Sequence, residues 1–182
     1  LCLWLRHRPP GDDEIRHRRR AAFRERQVGF FAAVLASSIR FITKVHHMHH
    51  DNELFVTAQA LLEQRHTPPV HTVAAALRCQ SGEVISAVNI DHFLGFVCAE
   101  TAALAIAINR GIYDFDSIVA VRKNDDTGKI EIVDMCGKCR QIFHDYAPGI
   151  TVLTTNGPQA IEHIFPHAFT RQRTKIQEAI KR

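Results

Sequence analysis

Two short stretches decide how this chain is read: Cys98-Ala99-Glu100 and, further on, Cys136-Gly137-Lys138-Cys139. Together they offer three thiols and a carboxylate. A catalytic zinc site uses three protein ligands, leaves a fourth position to water and keeps an acid/base group beside it. A lone Cys-x-x-Cys is a moderate signal, because such pairs also build structural zinc sites and redox motifs. The upstream Cys-x-Glu sharpens it. Free cysteines often pack as small apolar residues, but Lys138, Arg140 and the position of each thiol at a helix start argue for ligands.

The local pattern explains those positions. Ala99 to Asn109 is a run of small and apolar residues stopped by Gly111, so Cys98 opens a helix and Glu100 falls in its first turn. A thiol there meets free N–H groups and the positive end of the helix dipole, which favour the thiolate. Cys136 begins a second helix reaching about Tyr146, and Cys136 and Cys139, three apart, share a face of its first turn. Upstream, Asn52 to Gln64 reads as an amphipathic helix with Leu54, Phe55, Ala58, Leu61 and Leu62 on one side. Pro68-Pro69 ends it. Val70 to Leu77 then suits a buried strand, Gln80 to Glu83 a turn, and Val84 to Ile90 the return strand of a hairpin that delivers Asn89 and Asp91. Ile118 to Val121, Ile130 to Val133 and Ile150 to Thr154 supply three more strands, and Pro158 to Ile164 reads as the start of a C-terminal helix. Alternating strands and helices of this kind make an α/β sandwich.

The flanks add a family likeness. Val88-Asn89-Ile90-Asp91-His92-Phe93 precedes Cys98-Ala99-Glu100, and Cys136-Gly137-Lys138-Cys139-Arg140-Gln141 runs on to His144-Asp145-Tyr146-Ala147-Pro148-Gly149-Ile150. This resembles the cytidine deaminase family, and within it the blasticidin-type branch, whose spacing from the Asn to the first Cys it shares. The likeness spans roughly Asn52 to Phe169. It implies a three-layer α/β/α sandwich around a mixed five-stranded sheet. It also implies zinc on Cys98, Cys136 and Cys139, with Glu100 shuttling protons while a metal-activated water displaces ammonia from a cytosine nucleoside or nucleoside-like compound. Asn89 and Asp91, with His71, Ala99 and Phe169, become the candidate substrate contacts, and a homotetramer with shared pockets is expected, Phe169 reaching a neighbour's site. Two departures stand out: Asp134-Met135 where relatives carry Ser-Pro or Thr-Pro, and Thr101 where cytidine deaminases carry an Arg that offsets thiolate charge. The first loosens the backbone before Cys136 and adds a negative charge; the second leaves compensation to Lys138 and Arg140.

Charge divides the chain. Residues 1–47 hold ten Lys/Arg against four Asp/Glu, whereas residues 48–182 hold thirteen against fifteen. We therefore expect a basic N-terminal extension, 1–47, outside a catalytic domain, 48–182. Arg16, Arg18, Arg19, Arg20, Arg24 and Arg26 before the apolar stretch Val28 to Leu35 have the outline of a leader, interrupted by Asp12, Asp13, Glu14 and Glu25. His46, His47, His49 and His50 read as a solvated turn rather than a metal tract. A mildly acidic domain is a poor match for a nucleic-acid backbone. That, with Cys rather than His as first ligand, disfavours a nucleic-acid-editing deaminase, and an intact Glu100 disfavours a non-catalytic zinc module. Five cysteines, three of them in motifs, point to a reducing, cytoplasmic compartment. No apolar run approaches the ~18 residues of a spanning helix, so no membrane role is expected.

Overall fold

Strand β1 (Val73–Cys79) carries Ala74, Ala75, Ala76 and Leu77 in succession, all fully buried. A continuous apolar run, rather than an alternating one, belongs to a strand covered on both faces. In the computed structural model, which describes residues 52–170 and 173–180, that strand is interior to the sheet. β2 (Val84–Val88) pairs antiparallel with one of its edges and β3 (Phe115–Lys123) with the other. The outer edge of β3 is divided: β4 (Ile130–Ile132) runs antiparallel to its second half and β5 (Thr151–Thr154) parallel to its first. β6 (Gly157–Ala160) folds back on β5 as the edge strand. The order is β2-β1-β3-β5-β6, with β4 beside β3.

Helices cover both faces. Residues 52–65 form α1; its Leu54, Ala58 and Leu62 pack on Ala74, Ala76, Val119, Val121 and Leu153. Side chains one residue along each strand point the other way. Leu77, Ile118 and Val152 accordingly meet α2 (Ala99–Asn109) through Ala103, Leu104 and Ala107, and α3 (Gly137–Tyr146) through Phe143. Each large apolar side chain so buried contributes about 1.5–3 kcal/mol, enough to fix which face of each helix turns inward. At the sheet centre Ala75 and Ala120 lie under Ala99. Three methyl groups there let the start of α2 sit close on the sheet, and Cys98 with it.

The three-layer α/β/α sandwich with a mixed sheet is the expected one, but the sheet has six strands rather than five. The sixth is β6, in a stretch read from sequence as helix. Thr154 to Gly157 turns tightly, with Gly157 at φ +94°, and Pro158 lacks an N–H, which an edge strand tolerates. Helix survives only as the short α4 (Ile161–Ile164). β1 also starts at Val73 rather than Val70, because Thr67 to His71 closes its own turn around Pro68-Pro69. A further helix, α5 (Arg173–Ile180), buries none of its residues. The extension 1–47, with its arginine run, and the histidines around Met48 lie outside the described residues. No described helix is long and apolar enough to cross a membrane.

Candidate active site

The two helix starts converge. Cys98 is the N-cap of α2 and Cys136 that of α3, both in extended backbone, and Cys139 lies in the first turn of α3. Their three sulfurs lie within 4.8 Å of one another, and Cys98 Sγ is 3.6 Å from Cys136 Sγ. Zn–S bonds of ~2.3 Å in a tetrahedron set sulfurs roughly 3.7 Å apart, so the spacing suits such an ion. Among the described residues this is the one group of His, Cys, Asp or Glu side chains that could share a metal. All three thiols are free. Cys139 is buried, Cys98 half-buried and Cys136 exposed, which leaves one open side for water or substrate.

Electrostatics departs from the sequence expectation at Cys98. Burial pushes its thiol up, and neighbouring Cys136 and Glu100 add to that, so the helix dipole does not win there. Burial also pushes Cys136 up, but the Cys139 N–H and the other two thiols outweigh it and the net shift is down. Cys139 is driven far up, by burial first and then by the Glu100 carboxylate, with the Thr101 hydroxyl pulling the other way. Glu100 is only 5 % exposed. Burial raises its carboxyl above the usual carboxylate range, partly offset by its own N–H and the Cys139 thiol. A divalent cation held here would invert that balance, since it stabilises thiolates directly.

The basic residues are placed differently from the expectation. Arg140 Nε donates to Met135 O at 2.7 Å and its Nη1 to Ile164 O at 3.2 Å. Lys138 Nζ donates to Phe96 O at 3.1 Å and stands 4.9 Å over the Phe96 ring. Thr101, at the position of the missing Arg, instead sets its Oγ1 3.4 Å from Cys139 Sγ. Asp134 turns to Thr155, accepting from its N–H at 2.9 Å and its hydroxyl at 3.0 Å. The Thr101 contact was hidden in the sequence because it depends on two helices meeting.

The candidate substrate contacts fall into separate groups. Asn89 Oδ1 accepts from the N–H of Thr72 (2.8 Å) and Val73 (2.9 Å), and Nδ2 donates to Val70 O at 3.0 Å. That ties the end of β2 to the start of β1 and leaves one Nδ2 hydrogen. His71 Nδ1 lies 2.7 Å from Asn89 O, so these two residues are brought together. Ala99 packs its methyl into the core. Asp91 is exposed on the loop between β2 and α2, where Ile90, Phe93, Leu94, Phe96 and Val97 are exposed too. Phe169 is 62 % exposed, yet its backbone is clamped by Gln141, whose Nε2 donates to Phe169 O (2.7 Å) and whose Oε1 accepts from Phe169 N–H (2.9 Å). Sequence reasoning carried Gln141 only as the last residue of the matched motif and gave it no role.

No protein-family model matches the chain. It is 40 % identical over 130 residues to the blasticidin-S deaminase of Bacillus cereus, covering 66 % of this chain and 93 % of that protein. Its fold is similar to the crystal structure of cytidine deaminase from Burkholderia pseudomallei (26 % identity, 65 % of this chain, 98 % of that one, TM-score 0.55). The cytidine deaminase of Bacillus anthracis is similar at 17 % identity, 72 % and 98 % coverage and TM-score 0.59. The Mycobacterium leprae enzyme is similar at 22 %, 64 % and 97 %, with TM-score 0.55. A relative matched over nearly its whole length, on a fold that sets three thiols and a buried carboxyl together, places this chain in the cytidine deaminase family of hydrolytic deaminases.

Proposed function

We propose that the chain is a zinc-dependent aminohydrolase acting on a cytosine nucleoside or a nucleoside-like compound of the blasticidin type, with residues 48–182 as its catalytic domain. The observation that carries this is the convergence of Cys98, Cys136 and Cys139 beside the buried Glu100. Cys98, Cys136 and Cys139 would hold the ion. What a zinc ion supplies in such a site is activation of a water as nucleophile at neutral pH and polarisation of the centre under attack.

The chain's own residues do the rest. Glu100 sits in a desolvated position where its carboxyl keeps a proton more readily than an exposed one, which suits a group that takes a proton and returns it to a departing amine. Asn89, through its remaining Nδ2 hydrogen, and His71, through Nε2, offer polar contacts at the β1–β2 end of the sheet; Asp91 adds a carboxylate on the adjoining loop. Exposed Phe93, Leu94, Phe96 and Phe169 provide apolar surface for excluding water once covered. Covering them is what a homotetramer would do, with Phe169 presented to a neighbour. Free thiols call for a reducing compartment, the cytoplasm.

Purified protein should release ammonia from one member of a panel comprising cytidine, deoxycytidine, blasticidin S and guanine. Turnover of cytidine types alone, or of blasticidin S alone, selects between the two substrate classes. Stoichiometric zinc with no release from any of them, and none from single-stranded DNA, would favour a zinc-binding module instead.

A further inference from the structure

The departure at Asp134-Met135 has a structural counterpart. Cys136 is the exposed member of the thiol set and sits at an N-cap, not inside a helix, so its position depends on how the preceding backbone is held. A proline at 135 would hold it covalently by fixing φ. Here three non-covalent ties converge on the same segment. The Met135 side chain is buried in the core under α3. Its carbonyl accepts the Arg140 Nε–H at 2.7 Å. Both oxygens of Asp134 are engaged by one residue, Thr155, in the turn between β5 and β6, at 2.9 Å to the N–H and 3.0 Å to Oγ1. Thr154 Oγ1 in turn donates to Gly157 O at 2.7 Å, so the turn that carries the anchor is closed by a hydrogen bond of its own.

We propose that Asp134 is a positioning residue for the metal centre: its clip onto Thr155 fixes the 134–136 backbone and so holds Cys136 Sγ against Cys98 Sγ. This rests on the zinc reading above. The clip acts through geometry, not charge. A carboxylate beside a thiolate-ringed ion adds like charge, whereas a carboxylate engaged by an N–H and a hydroxyl is a two-point brace. Partners that orient metal ligands typically change metal affinity ~10–100-fold when removed, and loss of the brace should show as faster release of the ligand it steadies.

The test measures zinc release from the full-length holoprotein to an excess of chromogenic chelator, with kcat and KM recorded alongside. Asp134→Ala should release zinc about 10-fold faster, and Thr155→Val should do the same from the other side. The double variant should be no worse than either single one. Asp134→Asn separates geometry from charge: its Oδ1 still accepts the Thr155 N–H and its Nδ2 can donate to the hydroxyl, so it should behave as wild type. Glu83→Ala, which breaks an exposed ion pair to Arg110 away from the thiols, controls for loss of any surface tie. Asp134→Asn releasing zinc as fast as Asp134→Ala would replace the brace with an effect of charge. Additive losses in the double variant, or release unchanged in both Asp134→Ala and Thr155→Val, would overturn the proposal. Should Asp134→Ala fold poorly, Thr155→Val and Asp134→Asn still decide it. A wild-type protein that holds no zinc would instead remove the functional reading on which the inference stands.

Discussion

A carboxyl held at 5 % exposure beside three thiols, as Glu100 is, costs the fold stability wherever it must ionise. Its folded pKa is raised by burial, so the folded state binds its proton more tightly than the unfolded state does. Stability from this group is therefore present at low pH and is lost as pH climbs through the ordinary carboxylate range to the raised value. Metal-free Glu100→Gln should be more stable than metal-free wild type at neutral pH, with the gap closing in acid; urea midpoints across pH would show it. The same variant should keep zinc and lose turnover by at least ~10²-fold, the lower end of general acid–base contributions. The thiols make a second pH prediction. Cys98 and Cys139 are both shifted up by burial, so zinc must displace protons from them. Apparent zinc affinity should fall as pH falls, and calorimetry in buffers of different ionisation heat should register proton release on binding.

At the scale of elements, the readable ones are those with an apolar pattern. α1 and α2 follow from helical spacing and small residues, and the β1–β2 hairpin from its apolar runs around Gln80 to Glu83. β6 and α5 were illegible because polar contacts build them. α5 docks through Arg173, whose Nη1 lies 2.9 Å from His144 Nε2, and Gln177, whose Nε2 donates to Asp145 O at 2.7 Å. A guanidinium only donates, so His144 Nε2 is the acceptor. His144 Nδ1 lies 3.3 Å from Asp145 Oδ1. Arg173→Met, which also gives up the 3.5 Å pair of Nη2 with Glu162 Oε1, should cost about 1–2 kcal/mol and should speed proteolysis after Thr170. Unchanged cleavage would mean that α5 is held by something else.

For the whole molecule, the exposed surface carries the prediction. α2 has Ala105 exposed and Ala102, Ile106 and Ile108 half-buried, with no polar stripe for water, and the loop before it exposes Phe93 and Leu94. Patches of this kind mark association surfaces, so light scattering at micromolar concentration should find a closed assembly, expected to be a tetramer; a fully active monomer would reject it. Deleting residues 1–47 should leave zinc binding and ammonia release intact, because every site residue described here lies beyond them; loss of either would move the domain boundary. The sequence by itself picked out the three thiols and the carboxyl that the fold brings together, because thiol spacing at helix starts is a local property, and the order of most elements, because burial leaves a period in the chain. Tertiary structure alone decided what depends on segments far apart in sequence meeting. Thr101, not an Arg, faces Cys139; Arg140 serves carbonyls rather than thiolates; Asn89 stitches β1 to β2; and Asp134 points away to Thr155. Hydrogen bonds between distant segments leave no periodicity to read, so only the folded chain reveals them.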